Sequence, residues 1–130
     1  MHVLAIDIGG TQYRFSVINE RGEVLATERR ETKRKEGSSW LLPRLKRGIE
    51  DLLEQGGFNP VAIGIGFGGP VSFSEQRILA SLHAPGWEQV DLPSTLAEQL
   101  ELPCVVDNDA NVGALGEYTY GAGKSHKNML

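Results

Sequence analysis

The chain has 130 residues, 40% of them hydrophobic, and 13 Lys and Arg against 17 Asp and Glu give a net charge of −4. That supports one core and leaves two domains cramped, while a mean hydropathy of −0.24 and apolar runs no longer than Val61–Phe67 exclude a disordered chain and a helical membrane protein. An acidic balance gives no electrostatic reason to bind nucleic acid, and the single cysteine, Cys104, can close no internal disulfide and suits a reducing cytoplasm.

In chain order, Val3–Ile8 is an apolar run broken only by Asp7, the pattern of a strand buried on both faces. An acid there and the lack of a basic start are not those of a signal peptide. Gly9-Gly10 ends the strand. Gln12–Ile18 alternates, with Tyr13, Phe15 and Val17 on one face and Gln12, Arg14 and Ser16 on the other. Asn19–Gly22 supplies a turn, and Val24–Thr32 completes an antiparallel meander. The following run, Glu28–Glu36, is locally basic, but its interspersed acids read as a solvated strand end and loop.

Ser38 and Ser39 are N-cap candidates for a helix carrying Leu41, Leu45, Ile49 and Leu52 on one stripe. Pro43 is awkward inside that helix and favours a start at Pro43 itself. Gly56-Gly57 stops it. Val61, Ile63, Ile65 and Phe67 then alternate with Ala62, Gly64 and Gly66, a strand whose bare face admits a helix or a ligand. Residues 68–92 read as irregular, punctuated by Pro70 and Pro85-Gly86. Ser94–Leu100 is a short helix, Pro103–Val106 a strand, Asn108–Tyr120 a helix with Val112, Leu115 and Tyr118 on one side, and Gly121–Lys127 a polar tail. The order β-β-β-α-β-α-β-α predicts an α/β domain with a mixed five-stranded sheet. That is the ribonuclease-H-like fold, also the half-domain of the actin-like ATPases and sugar kinases.

Three patterns mislead. Gly64–Gly69 matches the dinucleotide fingerprint, but two of its glycines lie inside the strand and no amphipathic helix follows. Gly121–Ser125 resembles the end of a phosphate loop, but it follows a helix and Tyr118 stands where the first glycine belongs. Asp107–Asn111 resembles a calcium loop, yet Val112 and Tyr118 replace the turn glycine and the bidentate Glu. His2, His83 and His126 have no metal-ligand spacing.

Three segments carry chemistry. Asp7-Ile8-Gly9-Gly10-Thr11 joins two strands, and adjacent glycines permit positive φ and unobstructed amides, a nest for phosphate oxygens. Thr11 adds a hydroxyl, and Asp7 suits a water-mediated Mg²⁺ contact. The alternative is a tight hairpin with a buried, hydrogen-bonded Asp, but burying an unemployed carboxylate is costly. Asn108 and Asp109 stand at a helix N-terminus, where the dipole favours an ionised carboxylate able to accept a hydroxyl proton. Simple N-capping explains them equally well. Gly66–Pro70 presents backbone to a ligand or merely permits a sharp turn. All three follow strands, and parallel strands would bring them to one edge of the sheet.

Together with Pro85-Gly86-Trp87, Val90-Asp91-Leu92 and Gly116-Glu117, these segments resemble the ROK family of sugar kinases and repressors, in family order from residue 5 to residue 117. The resemblance implies ATP-dependent phosphorylation of a hexose or N-acetylhexosamine hydroxyl. Asp109 would be the catalytic base, and Asn108 and Asp109 would bind the sugar with Gly68 and Gly69. Asp7, Gly9, Gly10, Thr11 and Gln12 would face Mg²⁺ and the ATP phosphates. Gln12 stands where many members carry Lys, Gly68 replaces a usual proline, and Ser72 a frequent Asp. The family's second phosphate loop, Glu-x-Gly-His sugar motif and zinc cysteines would follow Leu130. Residues 1–121 are therefore expected to be an N-terminal lobe and 122–130 a linker toward a C-terminal lobe, the lobe being inactive alone and the parent a possible homodimer. Repressor members carry a helix-turn-helix before the first strand; Met1 stands two residues ahead of that strand, so the alternative, a sugar-sensing regulator fragment, requires a truncation at both ends, and a non-catalytic sugar-binding module is the third reading.

Overall fold

The computed structural model describes residues 1–79 and 85–124; His83, His126 and the end of the polar tail lie outside them. The meander forms as expected: β1 (His2–Ile8), β2 (Gln12–Asn19) and β3 (Val24–Glu31) are antiparallel neighbours. Two crossovers then add β4 (Ile63–Phe67) and, further along the chain, β7 (Cys104–Asn108) in parallel with β1. The sheet order is β3-β2-β1-β4-β7, with Phe15, Ile6, Ile65 and Val106 in one register row. This is the mixed five-stranded ribonuclease-H-like sheet.

The strands sort their side chains by parity. Leu4, Ile6, Ile8, Tyr13, Phe15, Val17, Ile63, Ile65, Phe67 and Val106 are buried beneath α1 (Gly37–Gly56) and α2 (Leu92–Leu100), which contribute Leu41, Leu45, Ile49, Leu92 and Leu96. β1 is not buried on both faces: Val3, Ala5 and Asp7 are only partly covered. The opposite face of the sheet meets α3 (Asp109–Tyr120), a helix with no buried residue. Burial pushes the Cys104 thiol up to about 12, which disfavours the thiolate.

Helix α1 begins six residues before Pro43, which sits inside it, and neither serine caps it. The cause is tertiary. Ser38 is buried and donates its amide to the Pro85 carbonyl (3.1 Å), while Gly37, at φ +67°, lies so close to Pro85 that a Cβ would collide with its carbonyl. Leu41 is fully buried below. This anchoring outweighs the amide bond lost at Pro43. Gly57 ends the helix at φ +65°, as the Gly-Gly pair predicts.

Residues 68–92 are less irregular than expected. They hold a two-stranded hairpin, β5 (Val71–Ser72) with β6 (Arg77–Ile78), and a 3-10 turn at Trp87–Gln89. Gln76, at φ 55°, turns its amide onto β7: Val106 N–H donates to Oε1 (2.7 Å) and Nε2 donates to the Val106 carbonyl (3.2 Å). The hairpin thus covers the edge of β7, the function a further strand would serve. No local pattern announces this. Among the described residues, no helix is long and apolar enough to cross a membrane.

Candidate functional site

The C-terminal ends of β1, β4 and β7 lie side by side, and the loops leaving them converge. Gly68 N–H donates to the Ile8 carbonyl (2.8 Å), joining the first two exits. A Cβ on Gly68 would stand 3.3 Å from the Ile8 carbonyl oxygen, 3.5 Å from Gly9 Cα and 3.5 Å from Asp109 Oδ2. Asn108 ties in the third. It accepts from the Ala110 amide (2.9 Å) as the N-cap of α3, and its Nδ2 donates to the Gly69 carbonyl (2.8 Å). The side chain thus spends one donor and one acceptor on protein atoms, the N-cap among them, with one amide hydrogen and one lone pair left over among the described residues.

These loops enclose a cavity of about 450 Å³. Gly9, Gly10, Gly68, Gly69 and Asp109 line it, with Phe67 and Trp87, whose rings meet edge to face at 5.1 Å, as apolar wall. Trp87 is held by Gly86 at φ +87°, where Ser38 Oγ would be 2.7 Å from any Cβ. The Pro-Gly-Trp turn therefore seats an aromatic wall against the start of α1. A second cavity, about 700 Å³, lies on the open face of the sheet; Asp7, Arg14, Gly66, Asp109 and Val112 are among its walls. Asp109 opens into both.

Several expected residues fall elsewhere. Thr11 and Asn108 line neither cavity, and Gln12 lines a shallow 230 Å³ depression with Asp7, Tyr13, Arg14 and Arg29. Asp7 is not buried: its side chain is 49% exposed on the open face and pairs with Arg14 at 3.6 Å. The cost of a buried carboxylate is thus no argument for its use. Strand parity explains this, because Asp7 alternates with Ile6 and Ile8.

The glycine pair also differs from expectation. Neither Gly9 nor Gly10 has positive φ. Gly9 N–H is taken by the Gln12 carbonyl (2.9 Å), closing the turn. The Gly10 and Thr11 amides donate to no acceptor among the described residues, so two of the three donors remain for an anion. Gly10 is small for another reason: a Cβ there would strike the Arg34 guanidinium. On β4, by contrast, Gly64 has open space and Gly66 would only touch α3, so neither glycine is sterically required.

Two polar residues of the cavity wall were not foreseen, Thr32 and Arg34. Both belong to or border the charged run that reads as solvated, which describes most of that run but not these positions. No group of three or more His, Cys, Asp or Glu gathers as a metal site among the described residues. A cation held mainly by phosphate oxygens, with Asp7 reaching it through water, remains compatible with that arrangement.

A family model described as the ROK family matches residues 3–130. The chain is 32% identical to a glucokinase of Streptomyces coelicolor over 133 residues, covering 98% of this chain and 38% of that protein. It is 34% identical to a xylose repressor of Caldicellulosiruptor bescii, covering 92% of this chain and 30% of that protein. Among solved structures, a ROK family glucokinase from Streptomyces griseus, in complex with glucose and AMPPNP, superimposes with a TM-score of 0.85 at 30% identity, covering 97% of this chain and 39% of that one. The chain thus spans about two fifths of the length of the glucokinases it matches. Sheet order, three loops meeting at one edge and matching sequence from residue 3 onward place this chain in the ROK family.

Proposed function

We propose that this chain is the N-terminal lobe of an ATP-dependent sugar kinase, transferring the γ-phosphate of ATP to a hydroxyl of a hexose or N-acetylhexosamine. Residues 1–121 form the lobe, and 122–130 lead toward a C-terminal lobe that completes the nucleotide site. The observation that carries the reading is the shared cavity: Asp109 faces the same space as Gly9, Gly10, Gly68 and Gly69. Relatives described as glucokinases, and one solved with glucose and AMPPNP, support the substrate class.

The roles follow from chemistry. Asp109, at the start of α3, takes the proton of the attacking hydroxyl as the sugar oxygen bonds to phosphorus. Gly68 and Gly69 leave room for the sugar ring. Asn108, on neither cavity wall, holds the Gly69 carbonyl and caps α3, fixing the Gly68-Gly69 turn and Asp109 beside the sugar. The free Gly10 and Thr11 amides receive phosphate oxygens, and Gln12 borders that site. Asp7 would hold Mg²⁺ through water, and the ion would supply charge neutralisation there. Most of the catalysis is positioning and electrostatics, which a rigid loop cluster provides.

A coupled ATPase assay of the parent chain with a panel of hexoses and N-acetylhexosamines tests this. Turnover with at least one sugar is expected, and none from the 130-residue lobe alone. Asp109→Asn in the parent should cut kcat by about 10²–10⁴-fold while sugar binding, read by calorimetry, stays nearly intact. Wild-type turnover in that variant would refute the base assignment. A second reading, a sugar-sensing regulator, draws on the similarity to the xylose repressor. Sugar binding without any turnover would favour it, or a non-catalytic sugar-binding module.

A further inference from the structure

We propose that Arg34 is a further catalytic residue, binding the non-bridging oxygens of the phosphoryl group in transfer from the cavity it shares with Asp109. This rests on the kinase reading above. Arg34 is the only cation lining the cavity among the described residues, and Asp109 the only anion. The two make no ion pair within 4.0 Å, so charges of opposite sign are held apart across one space.

The guanidinium is fixed but not spent. Its Nε donates to the Gly10 carbonyl at 3.0 Å, and the fork occupies the volume a Gly10 side chain would need. Arg14, Arg21 and Arg30 each pair with a carboxylate, and Arg44 lies 4.4 Å over the Trp40 ring. Like Arg29, Arg47 and Arg77, none of which lines this cavity, Arg34 has no carboxylate within 4.0 Å among the described residues. Its remaining four N–H donors have no acceptor among the described residues, and a planar fork suits a phosphoryl group.

Its surroundings are donors too. The unpaired amides of Gly10 and Thr11 adjoin the carbonyl that Arg34 holds. Thr32 N–H donates to the Thr11 carbonyl (2.9 Å), binding the Arg34 segment to that turn. Thr32 Oγ1 is the one buried side-chain polar atom without a partner among the described residues, and Thr32 lines the cavity. That hydroxyl is itself covered, so the donors open to a ligand here are the Arg34 fork and the Gly10 and Thr11 amides, which have no acceptor among the described residues.

The step balances as follows. The sugar O–H bond breaks, its proton passing to the Asp109 carboxylate, while the sugar oxygen forms a bond to the γ-phosphorus. The bond from that phosphorus to the β–γ bridging oxygen breaks, and its electron pair leaves with ADP. Arg34 changes no bond; it offsets charge on the equatorial oxygens, where fixed cations lower the barrier most.

The test compares the parent chain with Arg34→Met and Arg34→Lys. For Arg34→Met we expect kcat to fall about 10²-fold with the sugar KM within threefold, and affinity for inorganic phosphate, followed by ³¹P NMR titration, to fall at least tenfold. Arg34→Lys, which keeps the charge but not the Gly10 bond, should lose less on both counts, and it replaces the Met variant if that one does not fold. Unchanged kcat, unchanged phosphate affinity, or a raised sugar KM at constant kcat would each overturn the proposal, the last by assigning Arg34 to the sugar. Should the parent phosphorylate no sugar, the kinase reading fails and the phosphate titration alone decides Arg34: weaker binding in the variant upholds an anion site, equal binding refutes it.

Discussion

The two faces of the sheet are built on opposite terms. Under α1 and α2, Phe15, Leu41, Leu45, Ile49 and Leu96 have no exposed surface. On the other face α3 buries nothing, and Leu115 and Tyr118 are 66% and 52% exposed. The first face explains how the domain holds together. The second explains where the site can borrow from elsewhere, because Asp7, Asp107 and Asp109 lie on or beside it with little packed over them. We propose that the C-terminal lobe covers α3 and the adjoining open face in the parent protein, in keeping with the chain spanning two fifths of its relatives.

Substitutions on the two faces should therefore diverge, and urea unfolding of the 130-residue chain would measure it. Phe15→Ala empties a fully buried site beside α1 and should cost about 3–5 kcal/mol. A loss below 1 kcal/mol would mean that the packed face is not the source of stability. Gly48→Ala probes the same contact from the helix side. Its Cβ would stand 2.7 Å from Phe15 Cζ and 2.8 Å from Arg30 Nη1, so overpacking of roughly 1–3 kcal/mol should exceed the gain in helix propensity.

Gly113→Ala on α3 is the counterpart. Nothing lies within 4 Å of a Cβ there, so the substitution should stabilise the 130-residue chain by about 1 kcal/mol through helix propensity alone. The sharper measurement repeats it in the parent protein. If a second lobe packs on α3, the gain should shrink or reverse; an equal gain in both would argue that this face stays open. Leu115→Ala is expected to change the isolated chain by less than about 0.5 kcal/mol.

How far the sequence could be read depended on range. Alternation in β2 and β4 gave the buried faces directly, because a period of two is visible in a few residues. Gly57 and Asn108 were legible as helix boundaries for the same local reason. Pro43 misled, since the contact that overrides it lies 47 residues from Ser38, at Pro85. Asp7 misled in the other direction: an acid in an apolar run looks buried until the sheet shows that one face has little over it. Arg34 was hidden inside a charged run whose other members are ordinary surface residues.

Composition and pattern alone determined the order of the five main-sheet strands and three α-helices, the glycine-rich exits and the resemblance that runs from residue 5 to residue 117, because each depends on neighbours along the chain. Only the folded molecule decided that Gly9 spends its amide on a turn, that Gly10 makes room for a guanidinium, and that Asp109 opens into two cavities at once. Those outcomes depend on which segments meet across the sheet edge, and pairing between distant segments is set by the packing of the whole rather than by any local run of residues.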